Sequence, residues 1–358
     1  MKSYTDLHSL GNLNNEDIPS LQAVEKCLKY NIPFAYFALP GKEKATFFAN
    51  PSGKKSNECF IVSPWLTKYA DSIKIYRELS ANQILDRNFA FDYRPKTWCK
   101  STDKSQYIND VTNLVENLKA SKGKTVISRV LTEQNINIDY ISLTVRQFNC
   151  YPDTFRFLYF TPQTGAWLGT SPELLLDYNK ETSLFTTMSL AGTRKTDEAK
   201  SWDKKNMIEQ DFVASYIKNI LDSMGITYDV KHKQDLNFYP VCHICDVISG
   251  KLENTDFVTL LDKLNPTPAL GGFPLTDALA NICKIEQHPR KCYGGFIAYE
   301  NHKQFTAHVN LRSVNFDSHS YCAYTGGGIT ENSNPEQEWI ETENKCFTLL
   351  KNIDKCKF

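Results

Sequence analysis

The sequence lacks an excess of charge of either sign. Its 358 residues include 41 Lys and Arg against 41 Asp and Glu, so the formal net charge is zero. Proteins that bind nucleic acid or an anionic membrane surface need surplus positive charge to displace phosphate counterions. The balanced composition therefore argues against nucleic-acid binding and against membrane-surface binding.

Long apolar runs and a secretory leader are also missing. No stretch of about 18 apolar residues occurs, which a membrane-spanning helix would need. Residues 1–17 are polar and lack the basic start and apolar stretch of a signal peptide. The 11 cysteines are too few for a disulfide scaffold, and their number is odd. We therefore expect a cytoplasmic protein whose cysteines are mostly buried and reduced.

Hydrophobic periodicity predicts a few helices among many short strands. The helical spacings fall over 21–30, 107–118 and 208–221, and Asn334 followed by Pro335 is typical of a helix start. Asn31 and Gly123 are expected to end the first two helices. Strands are predicted over 34–39, 45–49, 58–62, 124–130, 155–160, 166–169, 184–191, 241–247, 292–299, 304–314 and 320–324. This order favours one large α+β domain.

Acidic residues on two predicted helices could hold a metal ion. Glu338, Glu341 and Lys345 lie at i, i+3 and i+7, on one face of the last helix. Glu209 lies on the flank of the apolar stripe of an earlier helix. Carboxylates from two helices suit Mg²⁺, which prefers hard oxygen ligands, although a solvated salt-bridged surface gives the same spacing.

Three other features leave their alternatives open. The glycines at 326–328 follow a strand, where their N–H groups could meet an anion or simply form a turn. Cys242 and Cys245 lack the second ligand pair of a structural zinc site, so a strand is favoured there, with His243 in the core or in a site. Lys124 opens a strand and is either exposed or, if buried beside other cations, able to act as a base.

Eight segments, taken in order, resemble the chorismate-utilising enzymes, and among them the isochorismate synthases most closely. The resemblance covers about residues 110–350, and each segment alone is modest. The segments are KTVISR at 124–129, SPELL at 171–175, LAGTR at 190–194, KNMIE at 205–209, NPTPA at 265–269 with GFP at 272–274, Arg290 with YGG at 293–295, GGGI at 326–329, and EWIET at 338–342 with Lys345.

The resemblance implies a fold and a reaction. The fold is a single chorismate-binding domain over 1–358, with an antiparallel β-sandwich-like core flanked by helices and a more divergent part at about 1–105. The reaction is the Mg²⁺-dependent conversion of chorismate to isochorismate, in which water adds at C2 and the C4 hydroxyl leaves. Its product would feed menaquinone or siderophore biosynthesis.

Roles for individual residues follow from the same resemblance. Lys124 matches the general base and Glu173 the general acid, so the lysine must be neutral and the glutamic acid protonated at some stage. Glu209 and Glu341 match direct metal ligands, and Glu338 a ligand acting through water. The matching substrate-binding positions are Ala191, Gly192, Thr193, His243, Thr267, Tyr293, Arg312, Gly326, Gly328 and Lys345.

Single residues separate the members of this family. Anthranilate synthases typically carry Gln at the position of Lys124, and aminodeoxychorismate synthases carry Lys at the position of Ala191, so neither activity nor a glutaminase subunit is expected. Salicylate synthase, which continues to salicylate and pyruvate, remains an alternative, as does a non-catalytic small-molecule binder. We expect a monomer. The chain departs from the family's usual residues at Gln210, Asn265 and Ala298.

Overall fold

The fold is taken from a computed structural model that describes residues 17–90, 98–196, 201–202, 204–238, 241–253 and 255–357. Its helices are α1 Ile18–Lys29, α2 Ala81–Leu85, α3 Lys104–Ser121, α4 Tyr140–Cys150, α5 Lys204–Ser223, α6 Phe257–Leu264, α7 Leu275–Ile285 and α8 Pro335–Asp354. A short 3-10 helix covers Tyr69–Asp71. Each helix of the sequence analysis is present, and Asn334 caps α8 by accepting a hydrogen bond from the N–H of Gln337.

The strands outnumber the helices. They are β1 Phe34–Ala38, β2 Thr46–Ala49, β3 Cys59–Ser63, β4 Ile73–Tyr76, β5 Lys124–Gln134, β6 Phe155–Thr161, β7 Gly165–Ser171, β8 Leu174–Asn179, β9 Leu184–Lys195, β10 Tyr228–Phe238, β11 Val241–Lys251, β12 Gly272–Phe273, β13 Phe296–Glu300, β14 Gln304–Val309, β15 Ser313–Phe316 and β16 Ser320–Ile329.

The strands form two eight-stranded sheets. The first has the order β12-β5-β16-β15-β7-β6-β1-β2 and the second the order β10-β11-β9-β8-β14-β13-β3-β4. Neighbouring strands run antiparallel. Antiparallel sheets flanked by helices are the α+β class that the sequence predicted, and that prediction is confirmed.

An aromatic core joins the two sheets. Phe60 of β3 contacts Phe155 and Tyr159 of β6, with ring centroids 6.2 and 5.6 Å apart. A second apolar cluster covers the other face of the first sheet beneath α1, α2, α4 and α8. A third lies between β5, α3, α7 and α8. Burial of apolar area is the main favourable term in folding, so this core stabilises the packing of the two sheets against each other.

The strand predicted over 304–314 is wrong, because the chain changes sheets within it. β14 ends at Val309 in the second sheet, and β15 begins at Ser313 in the first. Arg312, between them, has φ 49°, a left-handed conformation that interrupts an extended strand. The apolar pattern in the sequence indicates only that residues are buried. Both β14 and β15 are buried, so the pattern continues through Arg312 and does not reveal the change of sheet.

Three smaller predictions also differ from the structure. The left-handed residue that ends α3 is Lys122, at φ 58°, and not Gly123. The strand expected from residue 292 starts only at Phe296, after Gly294 at φ 82°. The glycine run is not a loop, because residues 326–328 continue β16 and pair with β5.

Two further expectations concerned the burial of the cysteines and the lack of membrane-spanning helices. Eight of the 11 cysteines are buried, whereas Cys150 and Cys283 are exposed and Cys99 is intermediate. Cys242 and Cys245 lie buried on β11, the strand that the sequence predicted there. Within the described ranges, no helix has the length and apolarity to cross a membrane.

Candidate functional site

A cavity of about 130 Å³ lies where β5 and β16 of the first sheet face β9 and β11 of the second. A single water needs roughly 10–15 Å³ on this measure, so the cavity has room for a small molecule. It collects most of the site residues that the sequence predicted. Those that line it are Lys124, Glu173, Ala191, Gly192, Glu209, His243, Tyr293, Arg312, Gly326, Gly328, Glu341 and Lys345.

Lys124 and Glu209 form an ion pair in the wall of the cavity. The Lys124 Nζ lies 2.8 Å from Glu209 Oε1, and only 3% of the lysine side chain is exposed. Lys124 begins β5 and Glu209 lies on α5, so two distant segments supply the pair. The sequence left Lys124 as exposed or buried, and the structure buries it.

The glycine run lets this pair approach β16. A Cβ on Gly328 would lie 2.4 Å from Glu209 Oε1 and 2.6 Å from Lys124 Cε, closer than atoms pack. A Cβ on Gly327 would point to the other face of the strand, where its nearest atom is Glu338 Oε2 at 3.2 Å. A side chain at position 328 would therefore displace Lys124 or Glu209 in the cavity wall, whereas one at position 327 would lie against α8.

Replacing Gly328 with alanine is expected to reduce turnover by about 100-fold, because displacement of a reacting group by about 1 Å has effects of this size. Gly327→Ala is the matched control on the opposite face of the strand and should lose much less. Steady-state kinetics of both variants on chorismate, the substrate expected from the sequence resemblance, with circular dichroism to check folding, measures the difference. Equal turnover of the two variants would contradict this account of Gly328.

Glu173 supplies a buried carboxylic acid from the second sheet's side of the cavity. It lies just before β8, with 3% exposure, and accepts a hydrogen bond from Thr267 Oγ1 at 3.3 Å. Burial raises the pKa of Glu173 to about 8, against the smaller opposing effects of the Thr267 hydrogen bond and the Lys124 charge. At neutral pH this group therefore carries its proton and can act as an acid.

His243 and Arg312 form a second buried pair. The Arg312 Nη2 lies 2.9 Å from His243 Nε2, and His243 Nδ1 lies 2.9 Å from the carbonyl oxygen of Gly192. Because a guanidinium only donates, Nε2 accepts and the proton is on Nδ1, which donates to Gly192. Burial, with the Arg312 charge, lowers the pKa of His243 to about 3, so the imidazole is neutral. Burial lowers the pKa of Arg312 to about 10, which leaves it charged at neutral pH.

Lys345 of α8 adds a cation beside the glycine run. Its Nζ lies 2.8 Å from Glu341 Oε1 and donates to the Gly326 carbonyl at 3.0 Å. Burial acts to lower the pKa of Lys345, but the Glu341 charge and hydrogen bond outweigh it and raise this pKa to about 12.

Two backbone amides of β16 complete this side of the cavity. Val126 donates its N–H to Gly271, on the side of β5 away from β16. Gly328 is the cross-strand partner of Val126, so the N–H and C=O of Gly328 point away from β5. The N–H and C=O of Gly326, two residues earlier on β16, point in the same direction. These amides lie on the side where Lys345 lies, so they can meet an anion there.

Basic groups outnumber carboxylates in the cavity wall. Lys124, Arg312 and Lys345 face Glu209 and Glu341, while Glu173 is protonated at neutral pH. A partly open cleft with this balance of charge favours an anionic ligand.

Two predicted site residues, Thr267 and Glu338, are not among the lining residues, and the side chain of a third, Thr193, is not described. Thr267 reaches it only through Glu173. Thr193 lies on β9, with its side chain outside the described part of the structure. Glu338 is buried on the α8 side of β16, next to Gly327. None of the departures at Gln210, Asn265 and Ala298 lines the cavity, and Gln210 instead donates to Ser189 Oγ at 2.8 Å.

The lining residue Tyr324 was not predicted from the sequence, and Arg290 was given no structural role. Tyr324 stacks on Tyr293 at 5.6 Å and shares a strand face with Gly326 and Gly328, a period of two that could have identified it. Arg290 donates to the carbonyls of Val126 and Leu270, both at 2.7 Å, and pairs with Glu286 at 2.6 Å. It ties two lining segments together, a role that only the folded chain reveals.

Two carboxylates of the cavity wall are of the type that could hold a magnesium ion. Glu209 and Glu341 are carboxylates in the cavity wall, the ligand type that Mg²⁺ prefers alongside water and substrate oxygens. Each carboxylate is paired with a lysine in this structure. Among the residues that the structure describes, no three His, Cys, Asp or Glu side chains come together as a metal site. The residues therefore fit Mg²⁺ held by two carboxylates, not by a protein cage.

The chain matches known proteins over most of its length. The family model described as "Chorismate binding enzyme" matches residues 52–354. Isochorismate synthase MenF of Escherichia coli (strain K12) is 32% identical over 211 residues, which are 56% of this chain and 48% of the relative. Anthranilate synthase component 1 of Bacillus pumilus is 26% identical over 294 residues, 77% of this chain and 56% of the relative. The chain thus spans about half the length of these curated relatives.

Solved structures give the same fold. The menaquinone-specific isochorismate synthase MenF of Escherichia coli superposes with a TM-score of 0.78 at 19% identity, covering 96% of this chain and 92% of that one. Anthranilate synthase component I of Streptococcus pneumoniae gives a TM-score of 0.66 at 16% identity, covering 90% of this chain and 91% of that one. At these identities the likeness concerns the fold alone.

Proposed function

Because the chain belongs to the chorismate-binding enzyme family, we propose that it is an isochorismate synthase that converts chorismate to isochorismate. The observation that carries the proposal is that Lys124 and the buried Glu173, whose pKa burial raises, line one cavity that favours an anion. Chorismate carries two carboxylates, and its isomerisation needs an acid and a base.

Lys124 is the proposed general base. It removes a proton from the water that adds to C2 of the ring. Lys124 begins β5 of the first sheet, and Glu173 lies in the link from β7 of the first sheet to β8 of the second, so base and acid come from different segments of the cavity wall.

Glu173 is the proposed general acid. As the C2–O bond forms, the ring double bonds shift and the C4–O bond breaks. The Glu173 proton passes to the departing hydroxyl, which leaves as water. One water enters and one leaves, so the net reaction is an isomerisation.

Three groups are proposed to bind the enolpyruvyl carboxylate. They are the Arg312 guanidinium, the Tyr293 hydroxyl and the backbone N–H groups of Gly326 and Gly328. A guanidinium and backbone amides provide the charge-assisted hydrogen bonds that bind carboxylates strongly. Lys345 lies beside them and would balance the remaining substrate charge.

Glu209 and Glu341 are the proposed ligands of Mg²⁺. The ion, when bound, would hold the ring carboxylate and offset the charge that develops on it. The protein contributes the two carboxylates, with Lys124 and Lys345 as their present counterions. Glu338 remains a proposed ligand through water, from its position behind Gly327.

Product analysis tests the proposal. The protein is incubated with chorismate and Mg²⁺, and the products are separated by chromatography. Isochorismate without release of pyruvate is the expected result. Salicylate together with pyruvate would instead assign salicylate synthase, and ammonium-dependent anthranilate would assign anthranilate synthase. No turnover would favour a binding protein.

His243 is expected to act on the substrate through Arg312. His243→Ala should raise KM for chorismate by about 10-fold or more with a smaller change in kcat, since a hydrogen bond to a charged group contributes roughly 1.5–3 kcal/mol. His243→Gln, whose amide oxygen can still accept from Arg312, should recover most of the affinity. The measurement is the split of kcat and KM. A fall in kcat at unchanged KM in both variants would refute the positioning role.

A further inference from the structure

A second cavity, of about 600 Å³, lies on the opposite face of β5 from the first. Its size is within the range of small-molecule sites. Side chains of a strand alternate between its faces. Lys124 and Val126 accordingly line the first cavity, whereas Arg129 and Leu131 line the second.

Arg129 is buried in the wall of this cavity and forms no ion pair with a carboxylate of the described residues. It is 4% exposed, its Nε donates to Thr342 Oγ1 at 2.7 Å, and its guanidinium lies 3.9 Å from the centre of the Trp339 ring. Within the described ranges, the contacts of this guanidinium include no hydrogen bond or ion pair from its Nη groups, and the charge of Glu343 acts on it without forming an ion pair. Burying a cation unpaired costs free energy, and two free Nη groups match the two oxygens of a carboxylate.

The rest of the lining is basic at one end and apolar at the other. Lys100 and Lys104 add positive charge beside Arg129, and Lys104 also pairs with Glu336 at 3.5 Å. Asp103 also lines the cavity but is occupied, because it caps α3 by accepting from the N–H of Gln106. Glu343 is the one other acid in the lining. Three basic groups thus face two acidic ones.

The apolar end is formed by Leu131, Leu350 and Phe347. Phe347 is 58% exposed, the highest value among the large exposed apolar side chains of the described residues. A ligand with an aromatic or aliphatic body would cover this ring, and burial of apolar area would stabilise the complex.

We propose that this cavity is a second ligand site for a small organic acid, a monocarboxylate with an apolar body. Its carboxylate accepts hydrogen bonds from the two Nη groups of Arg129. Its body lies against Phe347, Leu350 and Leu131. The proposal does not depend on the reaction proposed for the first cavity.

Calorimetric titration of the full chain with 3-phenylpropionate, against the uncharged 3-phenylpropionamide, tests the proposal. The acid should bind once per chain and at least about 10-fold more tightly than the amide, the ratio expected when a charged hydrogen bond is lost. Equal affinity of acid and amide, or no saturation by the acid up to about 20 mM, would overturn it.

Variants assign the binding to the second cavity. Phe347→Ser and Arg129→Gln should each weaken binding of the acid by about 10-fold. Leu184→Ser changes another exposed apolar side chain and should leave binding unchanged. Binding should also survive Arg312→Gln, which removes the carboxylate-binding group of the first cavity. Loss of binding in Arg312→Gln with full binding in Phe347→Ser would refute the assignment. If Arg129→Gln fails to fold, Phe347→Ser decides, since its side chain is exposed.

Discussion

Lys124→Ala should abolish conversion of chorismate, with a loss of turnover of about 100- to 10,000-fold, the range that general acid–base groups contribute. The expectation follows from the burial of Lys124 beside Glu209 in a cavity that also holds the acid. Binding of chorismate in the presence of Mg²⁺ should persist, because Arg312 and Lys345 remain. Equilibrium binding and initial rates, measured on one preparation, separate the two effects.

A matched control is available two residues away. Lys122 pairs with Glu331, but 71% of its side chain is exposed, so Lys122→Ala should leave both turnover and binding unchanged. Turnover by Lys124→Ala within a few-fold of the wild-type protein would show that another group acts as the base.

Glu173→Gln should reduce turnover to a similar degree and should also change its pH dependence. The pKa of Glu173 is raised to about 8 by burial, so the acid is protonated below that pH and ionised above it. Turnover of the wild-type protein should therefore fall as pH rises through about 8. Glutamine cannot donate an acidic proton, so the residual turnover of the variant should lack this fall.

The control for Glu173 is an exposed glutamate. Glu181, 61% exposed, can be replaced with glutamine without altering the pH profile. If the wild-type protein and Glu173→Gln lose activity along the same curve above pH 8, the group that titrates is not Glu173.

The same substitution should stabilise the fold at neutral pH. The folded protein keeps Glu173 protonated up to about pH 8, whereas the unfolded chain ionises it above about 4.5. The contribution of this group to stability is thus fully present below pH 4.5 and is lost as pH rises toward 8. At pH 7 the difference is roughly 3 kcal/mol, which Glu173→Gln should recover in part. Urea unfolding at pH 5 and pH 7 measures it, and no pH-dependent difference between the two proteins would contradict the buried acid.

Local signals made some of the structure predictable. The cap of α8 rests on Asn334 and Pro335, neighbours in sequence whose effect does not depend on the rest of the chain. The change of sheet at Arg312 could not be predicted from local sequence. The strands on either side of Arg312 are both buried and differ only in the sheet to which they belong. Position in the fold, not periodicity, decides such cases.

Nothing in the sequence indicated how the predicted site residues are arranged around the cavity. Resemblance identified the residues that line the cavity, and periodicity placed Glu338, Glu341 and Lys345 on one helix face. Their different surroundings follow from β16, since Gly327 faces Glu338 on one side and Gly328 faces Glu209 on the other. The free Nη groups of Arg129 had no sequence signal, because an arginine on a strand is ordinarily paired or exposed.

The aromatic contacts between the sheets bear on catalysis, although they lie outside the cavity. Lys124 belongs to one sheet and Glu173 adjoins the other, so the span across which a proton is taken and another delivered is set by how closely the sheets pack. The distance between the sheets depends in part on the aromatic contacts of Phe60 with Phe155 and Tyr159. A substitution that changes the thickness of this aromatic layer is therefore expected to change the proposed turnover without altering a residue that lines the cavity.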